Sequence, residues 1–232
     1  MADRASSVPT KRFHTYGVTT QWLIAVSGAV ILSVLLWGWV RLVDDSAVWS
    51  LAIFLVVPAI QFLATPLFTV LGWYTYHSPM VVSFGGSKRV IDLHNGSSFD
   101  YLLEMRGVRP GAAWKQTMMR HYLLALLGII ARVEEGELRP DVVVRGSSYF
   151  LSERSARRLG FTVSETSFLE RLNLLLNVVD LLWTYSLANG QWTVPNLRNT
   201  RTVRTTGRNL VAQKSRIEAI VARISRGAPT RG

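Results

Sequence analysis

The chain has 232 residues, a formal net charge of +11 and no cysteine; 49% of its residues are hydrophobic and 18% are charged. Without cysteine there is no disulfide, no thiolate metal site, no palmitoylated anchor and no cysteine nucleophile. The charged share falls below the roughly 25% usual for soluble domains, because between Thr20 and Tyr76 charge is confined to Arg41, Asp44 and Asp45.

Residues 1–19 read as an N-terminal tail with Arg4, Lys11 and Arg12. Two uncharged runs follow, QWLIAVSGAVILSVLLWGW at 21–39 and VWSLAIFLVVPAIQFLATPLFTVLGWYTY at 48–76. Each suffices for the roughly 20 residues that cross about 30 Å of hydrocarbon, and neither shows the polar stripe of a soluble core helix. The expectation is a two-helix transmembrane hairpin over 20–76, with spans at 20–42 and 48–76. Trp22, Trp37, Trp39, Trp49, Trp73, Tyr74 and Tyr76 fall near its ends, at headgroup level. Pro58 and Pro66 would kink the second span, with Thr65 helping to satisfy a freed carbonyl. The first span is too long for a signal-peptide core and reads as an uncleaved signal anchor. Basic residues flank the hairpin outside, with Lys88 and Arg89 after it, while Asp44 and Asp45 occupy the connection. That asymmetry predicts both termini in the cytoplasm and the hairpin in the cytoplasmic membrane.

Residues 77–197 read as a mainly α (α+β) cytoplasmic domain. MVVSF at 80–84 and RVIDL at 89–93 form strands around Gly85-Gly86. Ser97 or Ser98 caps a short helix, and a long helix over 112–135 stops at Gly136. Its apolar run at 122–131 is short for a span and follows Arg120 and His121, so it reads as a buried core helix. DVVV at 141–144 is a strand, followed by a Gly146-Ser147-Ser148 turn and a helix at 152–159. Ser167 and Glu170 make a capping box that opens a single helix over 168–188. On that helix Asn173, Asn177, Asp180 and Thr184 form a narrow polar seam, facing solvent, another helix or a pocket.

Residues 198–232 carry nine Lys/Arg against Glu218. They read as an extended basic arm and a C-terminal amphipathic helix at 208–225, with Leu210, Ile217, Ile220, Val221 and Ile224 on one face. Arg201, Arg204, Arg208, Lys214, Arg216 and Arg223 are candidate contacts with anionic lipid headgroups or an acidic partner. Nucleic acid is not an expected partner: no recognition motif is present, and aromatics do not interleave with the arginines.

RGSSYF, read as strand–turn–helix, makes Arg145, Gly146, Ser147, Ser148 and Ser152 the candidate anion site, because a helix N-terminus offers free N–H groups. Ser152 serves equally as a plain helix cap. The stretch lacks the second glycine of a nucleophile elbow and the lysine of a phosphate loop. Asp92 and His94 are a candidate acid/base pair. With Asp100 and Glu104 they gather metal-type ligands locally, without the convergence a metal site needs. No metal and no cofactor are expected.

The leading expectation is a non-enzymatic accessory or scaffold subunit of a larger membrane complex, with the lipid bilayer, anionic headgroups and other membrane-protein subunits as partners. The alternative is a membrane-anchored enzyme or sensor for a phosphate-bearing or lipid ligand. It requires residues 92–94 to come within hydrogen-bond reach of 145–148 in a concave site.

Overall fold

The computed structural model describes residues 10–85, 89–148, 153–197 and 200–227, with Ser147 and Ser148 described through their backbone alone. Helix α1 (Val18–Asp45) and helix α2 (Ile53–Val70) are joined by a 3-10 segment, Ala47–Ala52. The two helical stretches are long and apolar enough to cross a membrane. On α1, Val26, Val30, Val34 and Trp37 are each more than half exposed, which is unlike a helix buried in a soluble core. Gly28 lets the pair approach, since a Cβ there would stand 2.6 Å from the Leu63 carbonyl oxygen; small residues serve helix–helix contact in this way.

The second expected span ends too late. The chain leaves α2 at Val70, and strand β1 (Tyr74–Ser78) takes Tyr74 and Tyr76, two of the aromatic residues assigned to the membrane boundary. Aromatic and β-branched side chains at alternating positions suit a strand equally well.

Five more strands follow: β2 (Val81–Phe84), β3 (Val90–Asn95), β4 (Val143–Ser148), β5 (Thr162–Glu165) and β6 (Arg201–Thr206). The sheet order is β1-β2-β3-β4-β6-β5. Only β3 and β4 pair in parallel, because helices α3 (Ser98–Glu104) and α4 (Ala112–Glu134) cross over between them. Alternation sends Ile91, Leu93, Val144 and Val203 into the core and leaves Asp92, His94, Arg145 and Arg204 on the opposite face. On the core side α4 buries Leu123, Leu124, Ile129 and Ile130 to 1% exposure or less.

The C-terminal segment is part of this core rather than an arm. Strand β6 lies between β4 and β5. Helices α8 (Gly207–Ala212) and α9 (Lys214–Gly227) bury Leu210, Ile217 and Val221 in the main core with α4. The apolar face expected to meet lipid or a partner is therefore already covered. Among its basic residues, Lys214 pairs with Glu134 at 2.7 Å and Arg201 lies 3.8 Å from Glu165. Arg216 donates to the Arg158 carbonyl at 2.6 Å, and Arg204, Arg208 and Arg223 are exposed.

Two local readings are corrected. Gly146-Ser147-Ser148 is strand, not turn, in register with Val203, Thr202 and Arg201. Glycine fits there because a Cβ would lie 2.9 Å from the Leu93 carbonyl oxygen. The expected helix over 168–188 is broken into α6 (Phe168–Leu176) and α7 (Val178–Asn189). The Asn177 amide donates to the Asn173 carbonyl at 2.8 Å, a side-chain bond that competes with the helical ladder. Helix α5 (Glu153–Arg158) precedes β5.

The N-terminal segment is folded onto the domain from Lys11 onward. Phe13 is fully buried in a 3-10 turn, Arg12–Thr15. Lys11 pairs with Asp100 at 2.6 Å and lies 3.7 Å from the centre of the Tyr76 ring. The Arg12 backbone N–H donates to Glu104 at 2.6 Å, and its guanidinium to the Leu103 carbonyl at 2.8 Å. Burial draws Lys11 below and Asp100 above their ordinary pKa values, against the mutual attraction of the pair.

Candidate functional site

The sheet face opposite the main core floors a cleft of about 310 Å³ whose other walls are α2, α3, α6 and α7. Strands β3 and β4 place Asp92 and Arg145 side by side, because they are register partners on adjacent parallel strands. Both guanidinium donors reach one oxygen: Arg145 Nε and Nη2 lie 3.0 and 2.7 Å from Asp92 Oδ2. His94 Nε2 stands 3.9 Å from Asp92 Oδ1 and packs edge-on against Phe84, with ring centres 5.2 Å apart. Desolvation, helped by Arg145, holds the His94 imidazole below its ordinary pKa against the pull of Asp92.

The polar seam supplies the opposite wall. Asn173, Asn177, Asp180 and Thr184 all line the same cleft. Asp180 Oδ1 accepts from Ser98 Oγ at 2.5 Å and from Trp183 Nε1 at 3.1 Å. The Thr184 hydroxyl is turned back onto the Asp180 carbonyl at 2.7 Å. Glu170, which the sequence offers only as a cap, also faces the cleft. Its Oε2 accepts from Ser167 N and Oγ, each at 2.8 Å, and from Thr202 Oγ1 at 3.1 Å. Burial works to raise the Glu170 pKa, and these hydrogen bonds outweigh it and hold the carboxyl low.

A common pattern runs through these groups. Asp180 and Glu170 are each fixed by the protein through one oxygen, leaving Asp180 Oδ2 and Glu170 Oε1 without a hydrogen-bond partner among the described residues. Among the described residues Asp92 Oδ1 has only the distant His94. Asn177 Oδ1 is buried and likewise lacks a partner among the described residues. Among the described residues three carboxylates face a single guanidinium, so their sum is net negative with His94 neutral. The site therefore presents positioned, spare acceptors.

The structure thus brings Asp92, His94, Arg145 and the seam together. The turn of the anion reading does not fall at Gly146–Ser148, whose backbone is engaged with β6; the residues between β4 and α5, Ser152 among them, lie outside the described residues. Asp100 and Glu104 belong instead to the Lys11–Arg12 cluster. Gln61 of α2, which also lines the cleft, escaped the sequence reading. Its signal was present: it is the lone amide in the otherwise apolar run 51–64, and a polar residue in such a run marks a functional position. No family model, no curated protein and no solved structure matches this chain, which leaves the cleft's own chemistry as the guide to its role.

Proposed function

We propose that this protein is a membrane-anchored ligand-binding domain whose cleft takes a molecule rich in hydrogen-bond donors and without net negative charge, such as an amine or a sugar-bearing group. The observation that carries this reading is the set of spare acceptors on Asp92, Asn177, Asp180 and Glu170 around one already paired guanidinium. Asn177 Oδ1 is buried, and a buried acceptor without a donor is unfavourable by about 1–3 kcal/mol; a donor-rich ligand removes that penalty and makes charge-assisted bonds to the partly exposed carboxylates. The same charge balance disfavours a phosphate.

The anchor is the α1–α2 hairpin, crossing the cytoplasmic membrane. Its exposed valines and tryptophans support insertion. The Lys11–Asp100 pair holds the entry of α1 to the domain that follows α2, which supports both ends of the hairpin lying on one side. The basic flanks favour the cytoplasmic side.

The test is thermal unfolding of the full-length protein in mild detergent with ethanolamine, glucose and inorganic phosphate as separate probes. At ten times its Kd a ligand stabilises by about 1.4 kcal/mol, a rise of roughly 3–6 °C for a chain of this size. The expected result is a rise with ethanolamine or glucose, lost in Asp180→Asn, and none with phosphate. A rise with phosphate alone, or with no probe, overturns the reading.

A second reading, attachment to other membrane subunits, draws on Trp192 and Val194, apolar side chains left 75% and 69% exposed in the segment after α7. Native-gel migration of the detergent extract tests it: a large defined complex supports it, and a lone protomer removes it.

A further inference from the structure

Helix α6 has a face with no partner among the described residues. Phe168, Leu172 and Leu175 recur at helical spacing, with Leu169 flanking them, and they are 78%, 41%, 45% and 74% exposed. The opposite side of the helix holds Leu174, 8% exposed, and Glu170, which face the domain. Arg171 borders the apolar strip and is exposed.

The position of α6 along α2 says what covers this strip. Asn173 and Leu174 line the same cleft as Gln61 of α2, and α6 packs against α2. Gln61 lies about 14 Å along the helix axis before Val70. The 3-10 segment and α2 together extend about 39 Å, against about 30 Å of hydrocarbon. For an upright helix, even if all of the roughly 9 Å excess projects on the domain side, Gln61 sits about 5 Å below the hydrocarbon boundary. That is the depth at which an amphipathic helix lying in the membrane plane buries its apolar face, about 5–10 Å.

We infer that α6 is a third membrane element, lying in the plane of the interface with Phe168, Leu169, Leu172 and Leu175 in lipid, so that the cleft it walls opens at headgroup level. This rests on the hairpin being inserted, and it identifies the donor-rich ligand's route of entry as lateral, from the membrane.

The absence of cysteine makes the test direct. Single substitutions Leu172→Cys and Leu169→Cys in the full-length protein are nitroxide-labelled and reconstituted into vesicles of phosphatidylethanolamine with a minority of phosphatidylglycerol. Collisional accessibility to oxygen and to a water-soluble nickel chelate is then compared, with Val30→Cys reporting the hairpin and Glu137→Cys reporting water. The expected result is an oxygen-to-nickel ratio at both α6 sites several-fold above that at Glu137→Cys, with a depth between those of Glu137→Cys and Val30→Cys. Nickel-accessible α6 labels overturn the inference. Labels accessible to neither reagent overturn it as well, since they would be covered by protein or by a second copy. A nickel-accessible Val30→Cys would instead bring down the hairpin reading, which separates the two failures. Because both α6 positions are exposed, neither substitution removes a core contact, and an unchanged thermal unfolding midpoint of each single variant in detergent certifies the fold.

Discussion

Two acid–base pairs of nearly equal length sit in contrasting surroundings. Lys11 and Asp100 meet at 2.6 Å with their side chains 2% and 0% exposed. Arg145 and Asp92 meet at 2.7 Å with 49% and 35% exposed. In the first, water is gone, each partner is committed to the other, and the pair fixes the entry of α1 onto α3. In the second, solvent screens the attraction, so the pair contributes little to stability and holds its groups where a ligand can compete for them. Burial, not distance, separates the two pairs.

The sharpest way to break this comparison is to strip the acid from the buried pair. Asp100→Ala strands the Lys11 ammonium away from water and removes the acceptor for the Ser97 N–H, which Asp100 Oδ2 takes at 2.9 Å. The expected loss is about 3–5 kcal/mol, read as a fall in the midpoint of thermal or denaturant unfolding in detergent. Adding Lys11→Met to Asp100→Ala should recover part of it by removing the stranded charge. A loss under about 1 kcal/mol, the size expected at an exposed pair, would erase the distinction.

Acidification examines the same principle without mutation. Burial, reinforced by Arg132 for His77 and by Arg120 for His121, pushes both histidines down to about 4 from an ordinary 6.5. Between about 6.5 and about 4 the unfolded chain therefore binds more protons than the folded one. Stability falls as pH drops through that window and levels off below it, by at most on the order of 3 kcal/mol per histidine. His121 Nδ1 is buried with no hydrogen-bond partner among the described residues, so His121→Phe should flatten the pH dependence without opening a cavity. An unchanged slope would show that His121 is not the group that titrates.

Gly146 carries a smaller expectation. Gly146→Val drives a branched side chain toward the Leu93 carbonyl oxygen, which a Cβ would already approach to 2.9 Å. The expected destabilisation is about 1–3 kcal/mol, measured by the same unfolding midpoint. A neutral result would mean that β3 and β4 can part without loss, and that the Asp92–Arg145 register is loosely held.

That glycine also shows where the sequence falls silent. Gly-Ser-Ser reads locally as a turn; it is strand because it pairs with β6, and it begins with glycine because of the Leu93 carbonyl, both far away along the chain. Trp73 to Tyr76 misled for a related reason: aromatic residues serve membrane boundaries and strands alike, and only pairing with β2 decides. By contrast, the V-I-D-L alternation of β3, the capping box at Ser167 and Glu170 and the apolar run of α4 were legible, because each is a local rule satisfied locally. The seam at Asn173 to Thr184 was legible as a seam. Its meaning required Asp92, Arg145 and Gln61, which only the tertiary fold brings opposite it. Amphipathicity behaved likewise: it marked an apolar face on α9 and only the polar seam on 168–188, and only packing tells that α4 covers the α9 face while Phe168, Leu169, Leu172 and Leu175 of α6 stay exposed.

The smallest expected stability effect and the most specific binding effect belong to the exposed pair. Arg145→Ala should change stability by less than about 1 kcal/mol, yet it removes the one guanidinium facing three cleft carboxylates. Asp92 is then left unneutralised, and His94, freed from the cation that helps hold it down, should titrate at higher pH in a histidine-resolved NMR titration. Ethanolamine should bind a few-fold more tightly, the scale of one charge acting across a partly hydrated cleft, while glucose responds less. Asp92→Ala should move ethanolamine affinity the other way, since it releases Arg145 and lowers the negative charge. Opposite shifts from two substitutions that leave the fold equally stable would show that the pair sets the charge preference of the site. Equal shifts would mean that its role is only to brace β3 against β4.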